Sequence, residues 1–143
     1  MGLEFWKDKS KKLIDPELFS AKAETLAKEI YKEQQESKGG KANKPTQIRK
    51  FYDEVIRFDS MVKANNEEFE NMLPYIKMLN AKVAYAMGRD LVSKGFKDFI
   101  SYSLGQIHTK DDFDVFADLF EAFMGYYKFY DEKGESLSPG GRR

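Results

Sequence analysis

Few side chains in this sequence could do covalent or metal chemistry. His108 is the only histidine, and cysteine is absent. That excludes disulfides, iron–sulfur clusters, thiol catalysis and the usual zinc sites, which need several Cys or His ligands. Di-iron bundles need two Glu-x-x-His pairs, and the residue three before His108 is Gly105. His108 stands beside Thr109 at a helix junction, so no serine has a histidine partner for acyl transfer. Gly39-Gly40-Lys41 lacks the spacing and the following Ser/Thr of a phosphate-binding loop. The acids Asp111, Asp112 and Asp114 could hold Mg²⁺, but they fall in the first turn of a helix, where acids complement the dipole. Glu67, Glu68 and Glu70 read the same way. No catalytic residue, metal ligand or cofactor is expected.

Two basic features remain. From Ser37 to Tyr52 the chain holds Lys38, Lys41, Lys44, Arg49 and Lys50 with no acid. Lysines on a mobile glycine-containing loop suit a phosphate backbone. The structural alternative is a solvated linker, with Arg49 and Lys50 paired to Asp53 and Glu54 at i+4. The second feature lies between Asn71 and Arg89, again free of acids. Tyr75, Met78, Lys82, Tyr85 and Arg89 recur at 3-4-3-4 and share one helix face. The apolar stripe Ile76, Leu79, Val83 and Met87 lies about 125° round the same helix. Bases interleaved with Tyr suit phosphates and stacked rings. The alternative is that Lys82 and Arg89 edge a second packing seam or pair with a neighbouring acid.

The elements that must position these residues are helices. The 143 residues are enough for one domain, and no internal repeat is visible. Residues 1–15 are Lys-rich and aperiodic, and predict a disordered arm. Asp15-Pro16-Glu17 reads as a helix start, followed by Phe19, Ala23, Leu26 and Ile30. Residues 37–45 are a Lys/Gly-rich loop by composition. Thr46 is placed to cap a second helix carrying Ile48, Phe51, Val55, Phe58 and Val62, which Asn65-Asn66 stops, with Asn66 capping the next. A third helix over 67–88 should kink or divide at Pro74. A fourth carries Phe96, Ile100, Ser103 and Ile107. Thr109 and Asp112 resemble a capping box for the last helix, whose Phe113, Phe116, Phe120, Phe123, Tyr127 and Tyr130 form one stripe. Such a stripe reads as core, with smaller residues on the facing helices. Residues 135–143 predict a disordered tail. The fold class is all-α, a compact bundle of about five helices.

Lys plus Arg and Asp plus Glu both number 24, so net charge is zero. A generic polycationic binder is excluded, and any nucleic-acid contact must be a local patch. Residues 1–66 carry +3 and residues 108–143 carry −3. The charged N-terminus fits no signal peptide, and uncharged runs fall short of the roughly 18 residues of a membrane span. A cytoplasmic protein with no membrane contact is expected.

Three blocks add a resemblance. Lys44-Pro-Thr-Gln-Ile-Arg-Lys-Phe-Tyr-Asp-Glu-Val55, Leu73-Pro-Tyr-Ile-Lys-Met-Leu-Asn-Ala-Lys-Val-Ala-Tyr-Ala-Met-Gly-Arg89 and Phe116-x3-Phe120-Glu-Ala-Phe-x2-Tyr126-Tyr-Lys-Phe-Tyr130 occur in order. Together, over about 44–133, they resemble the small subunit of type III-A CRISPR effectors, the Csm complex. Asn80 and Met87 replace the basic residues common there, and the first 35 residues match no motif. The resemblance implies a helical, non-catalytic subunit that stacks in several copies beside backbone subunits holding the guide RNA. It implies a role in antiviral defence. RNA cleavage would belong to the backbone subunits, and DNA cleavage and cyclic oligoadenylate synthesis to the large subunit. The implied ligands are target RNA and the guide–target duplex. The candidate RNA-binding residues are Arg49, Lys50, Lys82 and Arg89, with Lys41 and Lys44 as loop contacts and Tyr85 stacking or packing. The competing expectation is a helical adaptor or dimerisation protein with no RNA role, working through the aromatic seam and exposed Tyr126 or Tyr130.

Overall fold

The computed structural model describes residues 2–133. The expected tail, 135–143, lies outside the described residues.

The last helix explains the architecture. Helix α6 (Lys110–Glu132) starts at a capping box, with Thr109 Oγ1 accepting from the Asp112 amide and Asp112 returning a bond to the Thr109 amide. All six residues of its aromatic stripe are buried. Phe116, Phe120 and Phe123 meet the rings of Phe96 and Phe99 on α5 (Lys94–Gly105), with Phe99 and Phe123 centroids 5.3 Å apart. Each such ring pair contributes about 0.5–1.5 kcal/mol beyond area burial. Helix α1 (Ala23–Glu36) lies along α6 and buries the small residues Ala23 and Ala27, whereas α5 faces the stripe with Phe96 and Phe99, so the expectation of small facing residues fails on that side. Helix α2 (Pro45–Ala64) covers another side of α6 and buries Ile48, Phe51, Val55, Phe58 and Val62. Helices α3 (Phe69–Lys77) and α4 (Leu79–Gly88) complete the bundle, α4 against α5. The all-α expectation holds.

Several local expectations need correction. The first 15 residues are no disordered arm. Strands β1 (Trp6–Asp8) and β2 (Leu13–Ile14) pair antiparallel across a bulge, and Phe5 is fully buried. The clasp is the Asp112 carboxylate, which accepts from Trp6 Nε1 at 2.8 Å and Lys9 Nζ at 3.4 Å. Gln106 adds two bonds, accepting from the Phe5 amide and donating to the Leu3 carbonyl. Asp15 does not start α1 directly: its Oδ1 accepts from the Glu17 amide, and a wide π-type turn, Leu18–Lys22, intervenes. Lys44, not Thr46, takes the cap position of α2, because Pro45 suits the first helical position. Asn65, not Asn66, caps the following turn through its bond from the Glu67 amide. The expected third helix does divide, but at Met78, one turn beyond Pro74, whose carbonyl accepts the Met78 amide.

The 37–45 segment is not a free linker either. Asn43 is fully buried with φ 63°. Its side chain bonds the Ile30 carbonyl, the Ser93 hydroxyl and the Ser93 amide. Its own carbonyl accepts from Gln34 Nε2 and the Tyr127 hydroxyl. Lys44 therefore follows a fixed point.

Candidate nucleic-acid interface

Helix α4 divides its surface as its spacing demands. Ile76, Leu79 and Val83 are buried, whereas Tyr75, Met78, Lys82, Tyr85 and Arg89 are all exposed. The second face is a surface, not a packing seam. Lys82 Nζ reaches across to Glu54 Oε2 of α2 at 3.2 Å, and Arg57 holds the same oxygen at 2.7 Å. Partial burial pushes the Glu54 carboxyl up, but the bonds from Arg57 and Lys82 outweigh it and hold it below its ordinary value. One carboxylate thus gathers two cations at the rim of a groove of about 280 Å³ that Met61, Met72, Tyr75 and Met78 also line. One turn further along α4, Tyr85 is the most exposed large apolar side chain among the described residues, at 68%. The Arg89 guanidinium lies 5.7 Å from its ring centre, a cation–π contact.

The candidate residues fall into three groups. Lys50 is exposed one turn before Glu54 on α2, so Lys50, Arg57, Lys82, Tyr85 and Arg89 share the α2–α4 face. Arg49 lies off this face: at ~100° per residue it is about 100° from Lys50 and about 80° from Arg57 around the α2 axis. It pairs with Asp53 at 3.5 Å, as its i+4 spacing allows. Lys41 lines a second groove, about 620 Å³, with Lys38, Lys94, Glu33 and Asp90 beside Met87 near the end of α4. Lys44 is exposed at the start of α2. Arg57 is the residue that sequence reasoning missed. The signal was its spacing, seven residues from Lys50 and three from Glu54.

No group of three His, Cys, Asp or Glu that could hold a metal ion occurs among the described residues. No described helix is long and apolar enough to cross a membrane.

A family model described as Csm2 Type III-A matches residues 14–133. The chain belongs to this family. It is a small subunit of a type III-A CRISPR effector, as the three blocks implied. Csm2 membership also locates the boundary of what is shared: the match opens at Ile14, so most of the N-terminal hairpin precedes it. No curated protein and no solved structure matches the chain.

Proposed function

We propose that this Csm2 family member is a non-catalytic subunit that binds target RNA, or the guide–target duplex, through the α2–α4 face. It would act in the cytoplasm, in several copies stacked along the backbone subunits and next to the large subunit. The observation that carries this is the exposed row of Lys82, Tyr85 and Arg89 along α4, in a stretch without acids over 71–89. Lys82 and Arg89 stand two turns apart with Tyr85 between them, which suits phosphates on either side of a ribose or base face. A subunit that must accept every guide sequence is served by backbone contacts, which carry no sequence information. Zero net charge lets copies lie side by side without strong repulsion.

The adaptor reading relied on an exposed aromatic seam. The seam from Phe113 to Tyr130 is core and Tyr130 bonds Glu24, so of the two tyrosines that reading named only the half-buried Tyr126, beside the exposed Phe129, is left to meet a partner.

The test is to reverse Lys50, Lys82 and Arg89 to Glu and measure target-RNA binding by the assembled effector against salt. Affinity should drop and the salt slope flatten by about 0.7–0.9 log unit per lost phosphate contact. Circular dichroism should stay helical. Wild-type affinity and slope would make these residues structural.

A further inference from the structure

We propose that the outer face of α6 docks a basic, apolar-anchored segment of another protein subunit of the effector. The proposal rests on Csm2 membership but not on the RNA-binding reading.

The anchor site is a slot of about 470 Å³ lined by Phe19, Ala122, Gly125, Tyr126 and Phe129, with Glu24 at its edge. Phe129 is 49% exposed although it lies between the buried Tyr127 and Tyr130. A methyl group at Gly125 would meet nothing within 4 Å, so the slot opens at that residue. Exposed large apolar side chains around a concave patch mark contact sites, and buried aromatic anchors dominate their energetics.

Charge decides the kind of occupant. Helical spacing places Asp118 and Glu121 one turn before the slot and Glu132 one turn after it. Burial pushes the Asp118 carboxyl up, and Glu121, Asp114 and Asp59 push it further. Lys63 opposes them there, and it is bonded to Asp59 at 2.7 Å. Lys110 is taken by Asp114 at 3.0 Å. One oxygen each of Asp59 and Asp114 is buried without a hydrogen-bond partner among the described residues. Lys128 lies about 20° round the helix from Glu121 and one turn before Glu132, so it offsets part of this charge, and Lys133 lies one turn beyond Phe129. The face is therefore under-compensated acid beside an apolar slot. It repels nucleic acid and anionic lipid. It suits a segment that seats a bulky apolar side chain and sets Lys or Arg against Asp118 and Glu121.

The experiment places the photo-crosslinker p-benzoylphenylalanine at position 125 in the assembled effector, and the attached peptide is sequenced. The expected product joins position 125 to a segment of a different subunit that carries an apolar residue next to Lys or Arg. A crosslink to RNA, to a second copy of this chain or to an acidic segment overturns the proposal, and so does none at all. Two variants give an independent arm. Gly125→Leu fills the slot and suits a helix better than Gly, so it should fold. The pair Asp118→Lys/Glu121→Lys reverses the charge. Each should weaken retention of the crosslinked subunit about tenfold or more. Unchanged retention in both overturns the proposal. Lys82→Glu/Arg89→Glu, which tests RNA binding, should leave the crosslink intact, so the two ideas fail separately.

Discussion

The Tyr127 hydroxyl donates a 2.5 Å hydrogen bond to the carbonyl of Asn43, 84 residues earlier in the chain. Both residues are buried, and burial raises the Tyr127 hydroxyl well above its ordinary pKa, so it stays a donor at any working pH. The bond ties the lysine-bearing loop to the last helix. It turns what composition suggested was a linker into a fixed approach to α2.

Asn43 should therefore tolerate little. Asn43→Ala leaves the Ile30 carbonyl and Ser93 amide without their partner and forces Ala to a positive φ. A loss of about 2–4 kcal/mol is expected in urea unfolding. Asn43→Gly keeps the backbone conformation and should lose about 1 kcal/mol less. Tyr127→Phe should cost only about 1 kcal/mol, because Gln34 still serves the Asn43 carbonyl. Equal losses in the Ala and Gly variants would dismiss the backbone argument.

Trp6 is the single tryptophan, so its emission reports the hairpin. Burial pushes the Asp112 carboxyl up, but hydrogen bonds from the His108 amide, the Trp6 indole and Thr109 more than reverse this and leave it below its ordinary value. A depressed carboxylate stabilises the fold above the unfolded value of about 3.9, and that contribution fades as pH falls through the lower folded value. Trp6 emission should stay native down to about pH 4 and shift red below it. Asp112→Asn should shift it red at neutral pH. Native emission in that variant would mean that Phe5 and the Gln106 bonds hold the hairpin without Asp112.

Glu54 restrains two cations of the proposed RNA face. Glu54→Gln removes the carboxylate from Lys82 and Arg57 and should tighten RNA binding by the effector. The salt slope should steepen by about 0.7–0.9 if Lys82 gains a phosphate. Arg49→Glu alone should matter less than Lys82→Glu, since Arg49 sits on another side of α2 and is paired to Asp53. The reverse ranking in filter binding would move the RNA path to the Arg49 side.

Asp118 should be a liability in isolation. Burial raises its carboxyl, so the folded state favours the protonated form and gains stability as pH falls toward that raised value. Asp118→Asn should raise the melting temperature at pH 7, with an advantage that shrinks toward pH 4. A lower melting temperature at pH 7 would show that Lys63 compensates Asp118 fully.

Glycines separate by conformation. Gly39 has φ 68° with open space around it, so Gly39→Ala should cost about 1–2 kcal/mol through the backbone alone. Gly88 ends α4 at ordinary helical φ with equally open space, and Gly88→Ala should gain up to about 1 kcal/mol. Thermal melts read both signs.

The bundle was legible where residues report on their near neighbours. The stripe of α6 repeats every three or four residues, and its capping box spans three, so both stand out in the bare sequence. So does the two-faced character of α4. The hairpin did not stand out, because Phe5 and Trp6 have no period and their partners, Gln106 and Asp112, lie about a hundred residues away. Asn43 reads as a loop residue for the same reason. Of the site, Lys82, Tyr85 and Arg89 were visible by spacing. Arg57 and the separation of Arg49 depend on how α2 turns toward α4, which local pattern does not encode.

The hairpin's clasp also orders events in time. Residues 2–14 are made before Gln106 and Asp112, which hold them and lie about a hundred residues later in the chain. During synthesis Phe5 and Trp6 must wait without their slot, exposed to whatever is near. Distant contacts of this kind slow folding, since a large loop must close before they form. A segment made well before its partners is thus among the latest to reach its native place, and a nascent chain stalled before residue 106 would carry it unhoused.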